Sequence, residues 1–127
     1  MLDYMHSLLI ADSVINEYVG NRIKFYEYPP TGDFSGTYIV FDPIDTNQIG
    51  DYADGIYLTE DSLVQVDIWS DNRKTRDLVA KRLRKILVDD NGFSETTGPD
   101  EWDKETKIFR IARRYGMKEY REDLDSL

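Results

Sequence analysis

Hydrophobic positions follow two rhythms along the chain. Leu2, Met5, Leu8 and Leu9 recur at helical spacing, and Asp12 predicts an N-cap opening a second short helix over residues 13–19. Gly20 then stands where helices end in the left-handed conformation. One unbroken helix would put Asp12 in the middle of the apolar stripe, so the pattern favours a split helix. Residues 63–69 instead alternate, with Val64, Val66 and Ile68 on one face and Gln65, Asp67 and Trp69 on the other. Further strands are predicted over residues 23–28 and 37–42, closed by Pro29-Pro30 and Pro43, and over residues 107–115. In the last of these Phe109, Ile111 and Tyr115 share a side, and Ile108, Arg110, Ala112 and Arg114 the other. A short strand over residues 92–97 is expected to pair back onto it across the turn Gly98-Pro99-Asp100.

The strongest helix signal spans residues 73–89, with Ser70 or Asp71 as its cap and Asn91-Gly92 closing it. Val79, Leu83, Ile86 and Leu87 fall on one side, and Lys74, Lys81, Arg84 and Lys85 on the opposite one. The pattern therefore predicts an α+β fold: a small antiparallel or mixed sheet of four to five strands, a split N-terminal helix, and one long amphipathic helix on one face. Val64, Val66, Ile68, Val79, Leu83, Ile86, Phe109 and Ile111 are its expected core. Residues 43–61 show little periodicity and are expected to form a long, mobile loop. From Asp42 to Asp61 the chain carries six acids and no base. Residues 118–127 read as an acidic tail, and no internal repeat occurs.

Composition narrows the function classes. A length of 127 residues fits a single domain. The absence of cysteine excludes disulfides, thiolate metal sites and thiol catalysis, and a single histidine, His6, excludes a multi-histidine metal site within one chain. No apolar run approaches the ~20 residues of a membrane span, and no basic leader opens the chain, so a soluble protein is expected. Net charge is −9, unevenly spread. Residues 73–85 hold seven basic side chains and one acid, or +6, which leaves −15 on the remainder. A basic stripe on an acidic body suggests two faces that meet different partners, including copies of the same chain.

Catalytic patterns are weak. No Gly-x-Ser-x-Gly elbow accompanies His6, and neither phosphate-binding glycine pattern occurs. The acids of residues 51–61 do not follow the calcium-loop spacing. Pro99-Asp100 with Glu105-Thr106-Lys107 spells the Pro-Asp…Glu-x-Lys pattern of metal-dependent nucleases, but four intervening residues are too few to link two strands, and Pro-Asp favours a turn by itself. Tyr26, Tyr28, Phe34, Tyr38, Tyr52 and Tyr57 lie in an acidic half, which suits packing and protein contact better than base stacking. No enzyme activity and no cofactor are expected.

The order of segments is more telling than any motif. "YVGNRI" (residues 18–23), "YPP" (28–30), "GTYIVFDPI" (36–44), "LVQVDIWSDNR" (63–73), the amphipathic helix, "NGF" (91–93) and "KIFRIARRYG" (107–116) follow one another in a layout that resembles the tail-completion, or tail-terminator, proteins of long-tailed phages and prophages. The resemblance covers roughly residues 5 to 117. It implies a virion protein without a cofactor that caps the tail tube as a hexameric ring, touching the major tail tube protein on one side and the head connector or stopper protein on the other. DNA would pass only in transit through the lumen, and no membrane is involved. Head-completion or stopper proteins of the same neck are the near alternative, and a metal-dependent nuclease the distant one. In a ring, Lys74, Lys81, Arg84 and Lys85 become candidate subunit-interface residues. Asp45, Asp51, Asp54, Glu60 and Asp61 become candidates for the lumen or axial surface.

Overall fold

A computed structural model describes residues 1–26 and 35–120, the side chains of 45–47 excepted. The split N-terminal helix is present as α1 (Leu2–Ile10) and α2 (Ser13–Tyr18). Asp12 caps α2 by accepting a hydrogen bond from the Ile15 amide at 3.0 Å, and Gly20 takes φ +60° just after it. Five strands follow: β1 (Ile23–Phe25), β2 (Thr37–Ala53), β3 (Ile56–Ser70), β4 (Ser94–Trp102) and β5 (Phe109–Tyr120). They form one mixed sheet in the order β1-β2-β3-β5-β4, in which only β1 and β2 run parallel.

The long helix α3 (Arg73–Arg84) continues into a π-helical turn, Lys85–Asp89. Its cap is Asn72, whose side chain accepts from the Thr75 amide, rather than Ser70 or Asp71. The Ser70 hydroxyl instead supports the cap residue, accepting from the Asn72 amide at 3.0 Å. Gly92 closes the helix at φ +75°. Val79, Leu83, Ile86 and Leu87 press onto Ile39, Phe41, Val64, Val66, Ile68, Ile111 and Tyr115, and Met5, Leu9 and Ile15 complete this core. Of the eight expected core residues only Phe109 is not buried, because it opens β5 at the sheet margin beside Trp102.

Several boundaries move. β1 stops at Phe25 because Tyr26 takes φ +66°, and the rest of that predicted strand, with Pro29-Pro30, Tyr28 and Phe34, lies outside the described residues. β2 does not end at Pro43. It passes through the proline, which sits beyond the last rung with β1, where no strand among the described residues needs an amide donor. The register then shifts between Pro43 and Asp45 and again between Asp45 and Gln48.

The expected loop over residues 43–61 is therefore a β-hairpin. Its turn is Asp54-Gly55, with φ +51° and +77°, the backbone of a type I′ hairpin turn. β4 likewise runs straight through Gly98-Pro99-Asp100, taking them up as a register shift between Thr97 and Asp100, and the turn falls between β4 and β5 instead. The supposed tail begins inside β5, where Lys118, Glu119 and Tyr120 pair with Asp61, Glu60 and Thr59; residues 121–127 lie outside the described residues.

A hairpin arm and a basic helical groove as the candidate functional site

The β2–β3 hairpin outruns the helices. The core ends near Val64 and Met117, and the eight residues from Leu63 back to Ile56 extend the sheet by about 25 Å at strand rise. Along this arm Ile49, Ile56 and Leu58 are 48%, 54% and 44% exposed. Ile56 and Leu58 have the same strand parity as Val64, Val66 and Ile68, and Ile49 pairs with Glu60 of that parity, so the three continue the core-facing side of the sheet beyond its helical cover. Asp51 belongs to the same side by alternation. Its φ of +50° turns it away, and its carboxylate reaches Thr59 Oγ1 at 2.8 Å and Lys118 Nζ at 2.5 Å on the opposite face. The hydrogen bond from Lys118, then that from Thr59, holds the Asp51 carboxyl below its ordinary range.

The acids expected in a loop are thus displayed on an ordered hairpin. Asp54 is exposed in the turn, Glu60 is half-buried, and Asp61 is exposed. Asp45 occupies a position in β2 between the two register shifts. On the rung Ile49–Glu60–Glu119 two carboxylates stand side by side, with no ion pair among the described residues. Like charges directly opposite one another destabilise a sheet unless a cation joins them.

The basic stripe of α3 is mostly satisfied from within. Arg82 binds Asp12 with Nη2 at 2.5 Å and Nε at 3.0 Å, tying α3 to the cap of α2. The hydrogen bond from Arg82 is the main reason the Asp12 carboxyl is held below its ordinary value. Arg84 bridges to Glu95 at 2.7 Å, and the buried Tyr115 hydroxyl donates to the same carboxylate at 2.8 Å. Burial raises the Glu95 carboxyl, but the hydrogen bonds from Arg84 and Tyr115 outweigh it and leave the group low. Burial, and next the bond to Glu95, pushes the Tyr115 hydroxyl well up.

Lys85 reaches Asp90 at 3.5 Å. Lys74 and Lys81 are exposed and have no ion pair among the described residues. Between α2 and α3, Val14, Tyr18 and Leu78 line a groove of about 390 Å³ bordered by Lys81, Arg82, Lys85 and the acid Glu17.

Three further residues carry structure that the sequence reading missed. Arg76 lies on the apolar stripe at 76, 79, 80 and 83, and is only 2% exposed. It donates to Asp100 at 2.6 and 3.1 Å, to Asp77 at 2.8 Å and to the Arg110 carbonyl at 3.3 Å. The stripe position was the available signal. Asp100 of the nuclease-like pattern is thereby occupied by a guanidinium, and Glu105 and Lys107 lie in the β4–β5 connection. No group of three or more acids and histidines converges as a metal site among the described residues. On the sheet's other face the fully buried Asp67 accepts from Arg110 at 3.2 Å, and Arg110 lies 5.8 Å from the Trp69 ring. A cleft of about 390 Å³ opens there between Trp69, Trp102, Ile108 and Arg110. His6 packs its ring 5.3 Å from Phe25. Among the described residues no helix is long and apolar enough to cross a membrane.

What these surfaces offer chemically is apolar docking and charge pairing. No protein-family model matches the chain, and no curated protein matches it. Solved structures do share its architecture. A chain of the virion of a native gene transfer agent particle superposes with a TM-score of 0.71 at 17% identity, over 91% of each chain. A second solved chain superposes with a TM-score of 0.56 at 12% identity, over 94% of this chain and 93% of the other. The five-stranded sheet with its split helix and long helix is thus the fold of a chain in that virion.

Proposed function

We propose that the chain is a structural virion protein that caps a phage-type tail tube as a hexameric ring and provides the surface on which the head connector docks. The observation that carries the reading is the fold shared over 91% of both chains with a component of a gene transfer agent virion. It joins the segment layout that resembles tail terminators. In this role the protein sits at the tail–head junction, its axial neighbours are the major tail tube protein and a connector or stopper, and DNA passes without being held. It needs neither a cofactor nor a catalytic group. A ring subunit requires a rigid core, lateral surfaces that complement each other and elements that reach beyond the core; a packed sheet–helix body, a basic groove and an extended arm meet that description.

The test is deletion of the gene in the producing phage or prophage, with electron microscopy of the particles and of the purified protein. The expected result is unjoined tails of uncontrolled length, and six-fold rings formed by the protein. Tails of normal length that fail to join heads would assign the stopper position instead. Normal particles would overturn the reading.

A further inference from the structure

We propose that the β2–β3 arm of one copy lies in the α2–α3 groove of the next copy, so that each subunit is clasped by one neighbour and clasps the other. The proposal deepens the ring reading and rests on it. The arm carries an aliphatic strip, Ile49, Ile56 and Leu58, from which Asp51 is turned away, while Glu60 stands on the same face at the strip's inner end beside Ile49. Asp54 at the tip and the Glu60–Glu119 rung flank that strip. The groove is largely the chemical inverse, with Val14, Tyr18 and Leu78 as its floor and Lys81, Arg82 and Lys85 outnumbering the acid Glu17 on its border. Leu78 is 39% exposed on a helix whose other apolar residues are buried.

Two observations favour a second copy over another partner. Both complementary surfaces belong to one chain, and the exposure of each shows that the arm does not fill the groove of its own subunit. The like-charged Glu60–Glu119 rung also lacks a cation that Lys81, exposed and without an ion pair among the described residues, would supply from a neighbour. A contact between two different patches of the same chain is head-to-tail, the kind of interface that closes into a ring when the rotation permits. It places the arm's acids at the seam between subunits rather than in the lumen.

The chain contains no cysteine, which makes disulfide trapping unambiguous. Leu78→Cys is combined in turn with Ile49→Cys, Ile56→Cys and Leu58→Cys in the full chain. Each sample is oxidised mildly and run without reductant, while rings are scored by microscopy. At least one pair should give a ladder of covalent multimers ending at the ring size, and single variants no more than dimers. Rings without a ladder in all three pairs would overturn the arm-in-groove contact and leave the ring reading intact. A monomer without rings under every condition would overturn both.

A charge swap provides a second readout on exposed residues. Lys81→Glu with Lys85→Glu should weaken assembly by about tenfold or more, and adding Asp54→Lys with Glu60→Lys should restore most of it. Failure of the swap to restore assembly counts against the proposal, as does trapping of the arm on the tube protein alone.

Discussion

At the scale of single residues, the structure is read most easily where one backbone rule acts alone. Asp12 and Gly20 were legible because a cap and a left-handed terminus need only the residue type and its place beside a helix. The core side chains of α3 were legible for the same kind of reason, since their spacing fixes their face. Leu83 is fully buried against the sheet, so Leu83→Ala is expected to cost about 2–5 kcal/mol in equilibrium denaturation; a loss below about 0.5 kcal/mol would mean the site collapses without a cavity. Arg76 was not legible. Charge argued for solvent, and its burial is tolerable because two carboxylates meet it, the neighbouring Asp77 and Asp100 on a strand 24 residues away. Asp51 was hidden similarly, since nothing local announces that its backbone turns its side chain through the sheet.

Among the elements, the helices and the middle of each strand were legible, and the arm was not. The two register shifts between Pro43 and Gln48 break the alternation that identifies a strand, so a regular hairpin looks aperiodic in sequence. The dipeptide Asp54-Gly55, between apolar and polar residues of mixed order, was the one local sign of it. Paired backbone has a measurable consequence. Ladder amides within residues 48–61 should exchange with solvent at least about tenfold more slowly than unstructured chain in the isolated protein. Exchange at the unstructured rate across the arm would restore the mobile loop expected from the pattern. A Cβ placed on Gly55 meets nothing within 4 Å, so Gly55→Ala should act only through its positive φ, costing about 1 kcal/mol and raising exchange in the arm alone.

For the whole molecule, the sequence revealed a charge imbalance but not its internal accounting. Among the described residues, five of the seven basic side chains in residues 73–85 have partners within the chain, namely Arg73, Arg76, Arg82, Arg84 and Lys85. Removing Arg76, Arg82 or Arg84, whose pairs are partly buried, therefore mixes folding with assembly. Arg84→Glu should destabilise the monomer by about 1–3 kcal/mol, because it sets a second carboxylate against the mostly buried Glu95. Lys81→Glu should leave the monomer within about 0.5 kcal/mol and act on assembly alone. Thermal melts of dilute protein beside sedimentation of concentrated protein separate the two effects.

The same ion pairs decide the fate of β4, whose side chains are exposed except for the half-buried Glu95. Beyond its ladder with β5 and the Trp102–Phe109 ring contact, this strand is moored to the body by ion pairs, Arg76–Asp100, Arg110–Glu101 and Arg84–Glu95–Tyr115. The Asp100 and Glu95 carboxyls both lie below their ordinary values in the folded state, Asp100 through the Arg76 hydrogen bond and Glu95 against the pull of its burial. Their contribution is therefore complete above about pH 5, clear of the ordinary Asp and Glu values, and fades as pH falls through the folded values. Acid should unfasten β4 before the core melts, seen as protease cuts within residues 94–102 while α3 keeps its helical signal. Simultaneous loss of both would contradict this. Once β4 is unfastened, β5 presents an open ladder edge to other chains, so β4, with Pro99 and its acids, acts as a guard rail, and its removal should turn the folded chain into a seed for fibrous aggregates.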